Sequence, residues 1–155
     1  MTHLNTGDKA PFFSEYNQNN VLLSLDDYAH KKLILYFYPK DNTPGCTAES
    51  CSLNNNYKTL QNQDFHILGV SPDDQKSHLK FINKYGFDFD LIADIEKKIC
   101  KSYGVWGLKK FMGREYMGIS RVTYIISEEG FIKKVYEKVS VKSHARDILE
   151  NLAIL

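Results

Sequence analysis

The run KLILYFYP, residues 32–39, constrains the chain more than any other stretch. It is almost continuously apolar and aromatic, with no polar alternation. A strand of that kind needs cover on both faces, which is the situation of a central strand in an α/β sheet. Pro39 closes it, because proline cannot donate to a ladder. The turn cluster DNTPGC follows. Residues 46–63 then contain neither Gly nor Pro, and Leu53, Tyr57 and Leu60 recur at spacings of four and three. This pattern predicts one helix with a single apolar stripe. Thr43 is its N-cap candidate and Pro44 a tolerated first-turn residue.

The rest of the chain repeats the alternation. VLLSL (21–25) reads as a short strand, FHILGVSP (65–72) as a second buried strand and DLIAD (90–94) as a third. Asp73 or Asp74 can cap a helix carrying Leu79, Ile82 and Tyr85, with Gly86 as its stop. Residues 95–104 form a short helix. RVTYIIS (121–127) and FIKKVYE (131–137) are strands joined by the hairpin signal EEG, and 143–155 is a C-terminal helix. The order β-β-α-β-α-β-α-β-β-α gives an α/β fold with a central mixed β-sheet flanked by helices. A strand, a loop, a cysteine and a helix in succession suggest a thioredoxin-like arrangement. The length suits one domain spanning 1–155. Sites in such sheets form beyond the carboxyl ends of the strands, where Cys46 falls.

Bulk properties exclude several functions. A net charge of +1 gives no electrostatic support for nucleic acid or for an anionic membrane surface. The longest apolar stretch is far too short to span a bilayer, and MTHLNTGDKAPFF lacks the pattern of a secretory signal. The expected location is the cytoplasm. Three cysteines in that setting argue against a static disulfide framework.

Cys46 and Cys51 therefore need another account. A sulfur at a helix start sits among unpaired backbone N–H groups, at the positive end of the helix dipole, where a thiolate is stabilised. Such a cysteine can be oxidised to a sulfenic acid. The plain alternative is a buried cysteine that fills space. Cys51 lies five positions on, which places the two Cα atoms about 8–9 Å apart on an ideal helix. Disulfides need less than about 7 Å, so this pair can close only if the first turns unwind. Zinc would need about four ligands. His66 on a strand and His78 on a surface helix offer no such set, so no metal and no other cofactor are expected. Hydrolytic Cys/His chemistry would need a base beside Cys46, and no histidine is close in sequence.

At these residues the chain resembles a peroxiredoxin of the bacterioferritin-comigratory or Q subfamily. The family signature Pro-x-x-x-Thr/Ser-x-x-Cys stands here as Pro39, Thr43 and Cys46 in PKDNTPGC, and Arg121 in GISRVTYII matches the family arginine. GDKAPFF, GVSPDD, YGVWG and FMGREYMGISR extend the likeness along the whole chain. The resemblance implies a thioredoxin fold and thiol-dependent reduction of hydrogen peroxide and organic hydroperoxides. It implies Cys46 as the peroxidatic cysteine and Cys51 as the resolving one, joined in a transient disulfide that thioredoxin or a similar dithiol protein reduces. Arg121 would hold the thiolate, Thr43 would meet the peroxide, and Pro39 would cover the pocket. The subfamily is often monomeric, so a monomer is expected.

Taken singly, these residues have ordinary roles: Thr43 as a cap, Pro39 as a strand stop, Arg121 as a surface ion-pair partner. Phe12–Phe13 replaces the Asp-Phe of many relatives, an expected change of packing. Cys100 reads as a helix core cysteine, with an alternative resolving role left open. Trp106 and the aromatic loop after it either border the site or simply support it. Two other functions compete. A protein disulfide oxidoreductase would carry a CxxC pair, and a redox sensor without turnover would lack Arg121 or Thr43.

Overall fold

The computed structural model describes residues 3–152. Its centre is the run KLILYFYP. Strand β3 (Lys32–Phe37) follows a hairpin of β1 (Ser14–Tyr16) and β2 (Leu22–Ser24). Along β3, Leu33, Leu35 and Phe37 enter one core while Ile34 and Tyr36, with Tyr38 just beyond, enter the other. All six are fully buried, as a strand covered on both faces requires.

Next come helices α1 (Pro44–Asn55) and α2 (Tyr57–Asn62), strand β4 (Phe65–Ser71), helix α3 (Gln75–Tyr85), strand β5 (Asp90–Ala93) and helix α4 (Lys98–Ser102). Strands β6 (Trp106–Phe111), β7 (Arg114–Ile119), β8 (Val122–Ile126) and β9 (Ile132–Tyr136) precede the last helix, α5 (His144–Glu150). The five-stranded sheet runs β5-β4-β3-β8-β9. β3 pairs parallel with β4 and β4 with β5, whereas β8 is antiparallel to both β3 and β9. The expected mixed sheet is therefore present. α1, α2, α3 and α5 supply Leu53, Leu60, Phe81 and Ile148 to one core. The other core takes Phe13, and Ile99 and Cys100 from α4. No helix among the described residues is long and apolar enough to cross a membrane.

Several expectations are revised. The single helix over 46–63 breaks at Asn56, whose φ of −110° and ψ of 9° are not helical. Its side chain donates to the Ser52 carbonyl at 2.9 Å, and three consecutive asparagines of low helix propensity precede Tyr57. The helix over 95–104 begins only at Lys98, because Lys97 is left-handed with φ 61°. Asp94 caps it, accepting from the N–H groups of Ile99 and Cys100. The antiparallel ribbon β6–β7 replaces a loop. It carries no buried run to signal it, and Met112 and Gly113 turn it with positive φ. β1 was likewise unforeseen. Asp74 accepts from the Ser77 N–H and Gly86 ends α3 in the left-handed region, as the sequence indicates. Residues 153–155 of the C-terminal helix reading lie outside the described residues.

Candidate active site

The loop after β3 is fixed before the helix starts. Asp41, almost fully buried, accepts from the Tyr38 hydroxyl at 2.6 Å and from Ser77 Oγ at 2.8 Å. Its own N–H donates to Asp73 Oδ2. His78 is not on a surface, as its helix pattern suggested. It is fully buried, with Nδ1 2.7 Å from Asp41 Oδ2 and Nε2 donating to the Ile92 carbonyl. Asp41, Asp73 and His78 bring ligand-type atoms within 4.8 Å of one another. Hydrogen bonds already occupy both Asp41 oxygens, Asp73 Oδ2 and both imidazole nitrogens. The cluster locks the loop to α3 and the sheet. Asn42 turns the chain with φ 59°, a region that asparagine tolerates, and accepts from the Tyr85 hydroxyl.

Thr43 is the N-cap residue of α1, as expected, but caps it through its backbone alone. Its hydroxyl donates to the Lys40 carbonyl at 2.9 Å and makes no bond to the helix N-terminus. Its carbonyl accepts the Thr47 N–H, and Pro44 opens α1 where its missing N–H costs nothing. Pro39 is half-buried at the end of the central strand.

Cys46 follows in the first turn, fully buried, facing the same core as Leu53 seven residues on. Arg121, in the junction between β7 and β8, reaches it from the next strand across. Nη2 donates to Cys46 Sγ at 3.3 Å and Nη1 donates to Glu49 Oε1 at 2.7 Å. One planar fork thus holds a sulfur and a carboxyl of the same helix face. A methyl group on Gly45 would stand 3.1 Å from Nη2, so the missing side chain leaves the guanidinium its place. Burial works against the Arg121 charge, but Glu49 and Cys46 outweigh it and hold the group above its ordinary range. Behind the fork, Glu49 is fully buried; burial pushes its carboxyl up to about 7 despite Arg121. His144 Nε2 lies 3.7 Å from Glu49 Oε2 and 2.9 Å from Thr123 Oγ1. Burial pushes that imidazole down to about 4.

A thiol beside a permanent cation at a buried helix start is a nucleophile prepared to hold a negative charge. Known proteins place the arrangement. The sequence profile of the AhpC/TSA family matches residues 6–135. The chain belongs to that family. It is 41% identical to a Haemophilus influenzae putative peroxiredoxin bcp over the whole of both chains. It is 43% identical to peroxiredoxin Bcp of Bacillus subtilis, covering 94% of this chain and 93% of that one. A cysteine-to-serine mutant of Xylella fastidiosa PrxQ superposes with a TM-score of 0.91 at 33% identity, over 99% of this chain and 98% of that one. The fold is the thioredoxin-like fold of these peroxiredoxins, and the chain is an enzyme of their class, a thiol peroxidase.

Within this peroxiredoxin the other cysteines differ sharply. All three are free thiols. Cys51 is half-buried inside the unbroken α1, and burial pushes its thiol up. Cys100 is fully buried in the core on the opposite side of the sheet from Cys46, where burial first, and Asp94 second, push its thiol far up. Lys109 of the β6–β7 ribbon is half-buried and donates to the Ile119 carbonyl at 3.0 Å. Burial pulls its ammonium down, Arg121 adds to this, and Cys46 opposes it. Trp106 packs against the core beyond, with Lys97 over its ring. Glu49 was missed in the sequence. Its signal was position: three residues after Cys46 and four before Leu53, a charged residue on the buried stripe.

Proposed function

We propose that Cys46 is the peroxidatic cysteine of a two-cysteine peroxidase, working within one domain over residues 1–155. The observation that carries this is the Arg121 Nη2 to Cys46 Sγ contact of 3.3 Å at a buried helix start. The Cys46 thiolate attacks the terminal peroxide oxygen. An S–O bond forms, the O–O bond breaks, and the leaving oxygen departs with the electron pair and takes a proton. Arg121 holds the thiolate and steadies the peroxide oxygens; first-turn N–H groups of α1 face the developing charge. The Thr43 hydroxyl proton is committed to Lys40, so its oxygen accepts a hydrogen bond from the peroxide O–H. Pro39 keeps water from the pocket.

Cys51 then attacks the sulfenic sulfur, releasing hydroxide and forming a Cys46–Cys51 disulfide, which a dithiol protein of the thioredoxin kind reduces. Hydrogen peroxide and organic hydroperoxides are the substrates. Alkyl peroxide reduction is named for the bacterioferritin comigratory protein of Xanthomonas campestris, 33% identical with a TM-score of 0.88. The protein works as a monomer in the cytoplasm, with no metal or cofactor. The test is peroxide-dependent NADPH consumption with thioredoxin and its reductase. Cys46→Ser abolishes turnover, Cys51→Ser loses thioredoxin-coupled turnover, and Cys100→Ser retains it. Full turnover in Cys46→Ser would sink the reading.

A further inference from the structure

Buried side-chain polar atoms without a hydrogen-bond partner are rare in folded proteins. Among the described residues they are Glu49 Oε2, His144 Nδ1 and Tyr136 Oη. The Glu49 carboxyl and the His144 ring lie together behind Arg121. His144 Nε2 is 3.7 Å from Glu49 Oε2, and the His144 and Tyr136 rings meet edge to face at 5.4 Å. The groups facing the Glu49 carboxyl are Arg121 from the β7–β8 junction, Tyr36 from β3 and His144 from α5, with Asp147 acting on His144; Cys46, on the same helix, is joined to Glu49 through the other arm of Arg121. Arg121 is the single cation held among them, and both Cys46 and Glu49 lean on it.

Two buried anions sharing one cation leave a net negative charge where charge is expensive. The unbonded oxygen of Glu49 agrees with this. An ionised carboxylate would bury a charged oxygen against a neutral imidazole, whereas a proton on Oε2 removes that cost. We propose that Glu49 is the proton-holding, charge-balancing residue of the peroxidatic step: it is protonated while Cys46 is a thiolate and ionises when Cys46 is oxidised. This rests on the peroxidatic reading of Cys46. The balanced step is Cys46-S⁻ + ROOH + Glu49-COOH → Cys46-SOH + ROH + Glu49-COO⁻. The sulfur gives two electrons to the O–O bond. The leaving oxygen gains one proton, Glu49 releases one, and Arg121 faces one negative charge before and after. Glu49 need not touch the peroxide, so it acts as a positioning residue through Arg121. The titration of its carboxyl near 7 places the effect in the neutral range.

The test counts protons. Reduced Cys51→Ser protein, which stops at the sulfenic acid, is mixed with one equivalent of hydrogen peroxide in weak buffer with an indicator dye. Dimedone trapping counts the sulfenate on Cys46. At about pH 6, below the carboxyl's value of about 7, the Glu49→Gln variant in this background takes up about one more proton per sulfenate than its parent. The difference vanishes about two units higher, where Glu49 is ionised throughout. Equal uptake in the two proteins at both pH values would overturn the inference. If Glu49→Gln fails to fold, infrared difference spectra of the parent decide. Oxidation must remove a protonated-carboxyl C=O band at pH 6, and its persistence would overturn the inference. Absence of any sulfenate on Cys46 would instead overturn the peroxidatic reading and this inference with it.

Discussion

At the scale of single residues, the site depends on the shape of one guanidinium as much as on its charge. Arg121 bonds Cys46 through Nη2 and Glu49 through Nη1 at once, which an ammonium on a flexible stem cannot do. Arg121→Lys keeps the charge and loses the fork. Stopped-flow oxidation of the reduced protein by hydrogen peroxide should slow by about 100-fold, the order seen when one preorganised donor is lost. An unchanged rate would show that charge alone suffices. Gly69 tests the packing beneath the site. A methyl there would come within 2.6 Å of Leu91 Cδ2 and 2.8 Å of Tyr36 Cζ, both in fully buried side chains. Gly69→Ala should cost about 1–3 kcal/mol in denaturant unfolding. The pairing of Cys46 with Arg121 was legible at this scale, because PKDNTPGC and GISRVTYII resemble the family's signature. Glu49 showed only as a charge on the buried stripe of α1, and its contact with His144 was not legible, because a buried polar contact between α1 and α5 leaves no local pattern.

At the scale of elements, the two cysteines of α1 oppose the helix that carries them. The helix runs unbroken from Pro44 to Asn55, so Cys46 and Cys51 stay about 8–9 Å apart by helix geometry. Disulfide formation must unwind the first turns. Hydrogen exchange should therefore show amides 47–52 protected in the reduced protein and fast after one equivalent of peroxide, with α3 and β4 unchanged. Retained protection in a protein with no free thiol at Cys46 would contradict this. The starts of α1 and α3 and the buried strands were legible because periodicity and turn residues encode them. The break at Asn56 and the β6–β7 ribbon were not. The first arises from a side chain competing for a backbone carbonyl, the second from exposed strands with no apolar run.

At the scale of the whole molecule, the sheet divides the chain into two cores. Cys46 and Cys51 belong to one and Cys100 to the other. The same architecture buries Glu49 and His144 together, with opposite consequences for stability. The Glu49 carboxyl is raised from 4.5 to about 7, so its contribution is present below about pH 4.5 and is lost as pH rises through about 7. The His144 imidazole is lowered from 6.5 to about 4, so its contribution is present above about pH 6.5 and is lost as pH falls through about 4. Between about pH 4.5 and 6.5 the two offset each other. Glu49→Gln should unmask His144, giving urea stability that climbs with pH across that window by up to about 3 kcal/mol. A profile parallel to the wild type would contradict the pairing. The central claim, a peroxidatic Cys46 resolved by its own helix, is tested most directly by peptide mapping. Reduced protein is given one equivalent of hydrogen peroxide, alkylated and digested without reductant. The result expected is a Cys46–Cys51 disulfide within one chain and an alkylated Cys100. A Cys46–Cys100 bond, a bond between two copies, or an alkylated Cys46 would contradict it.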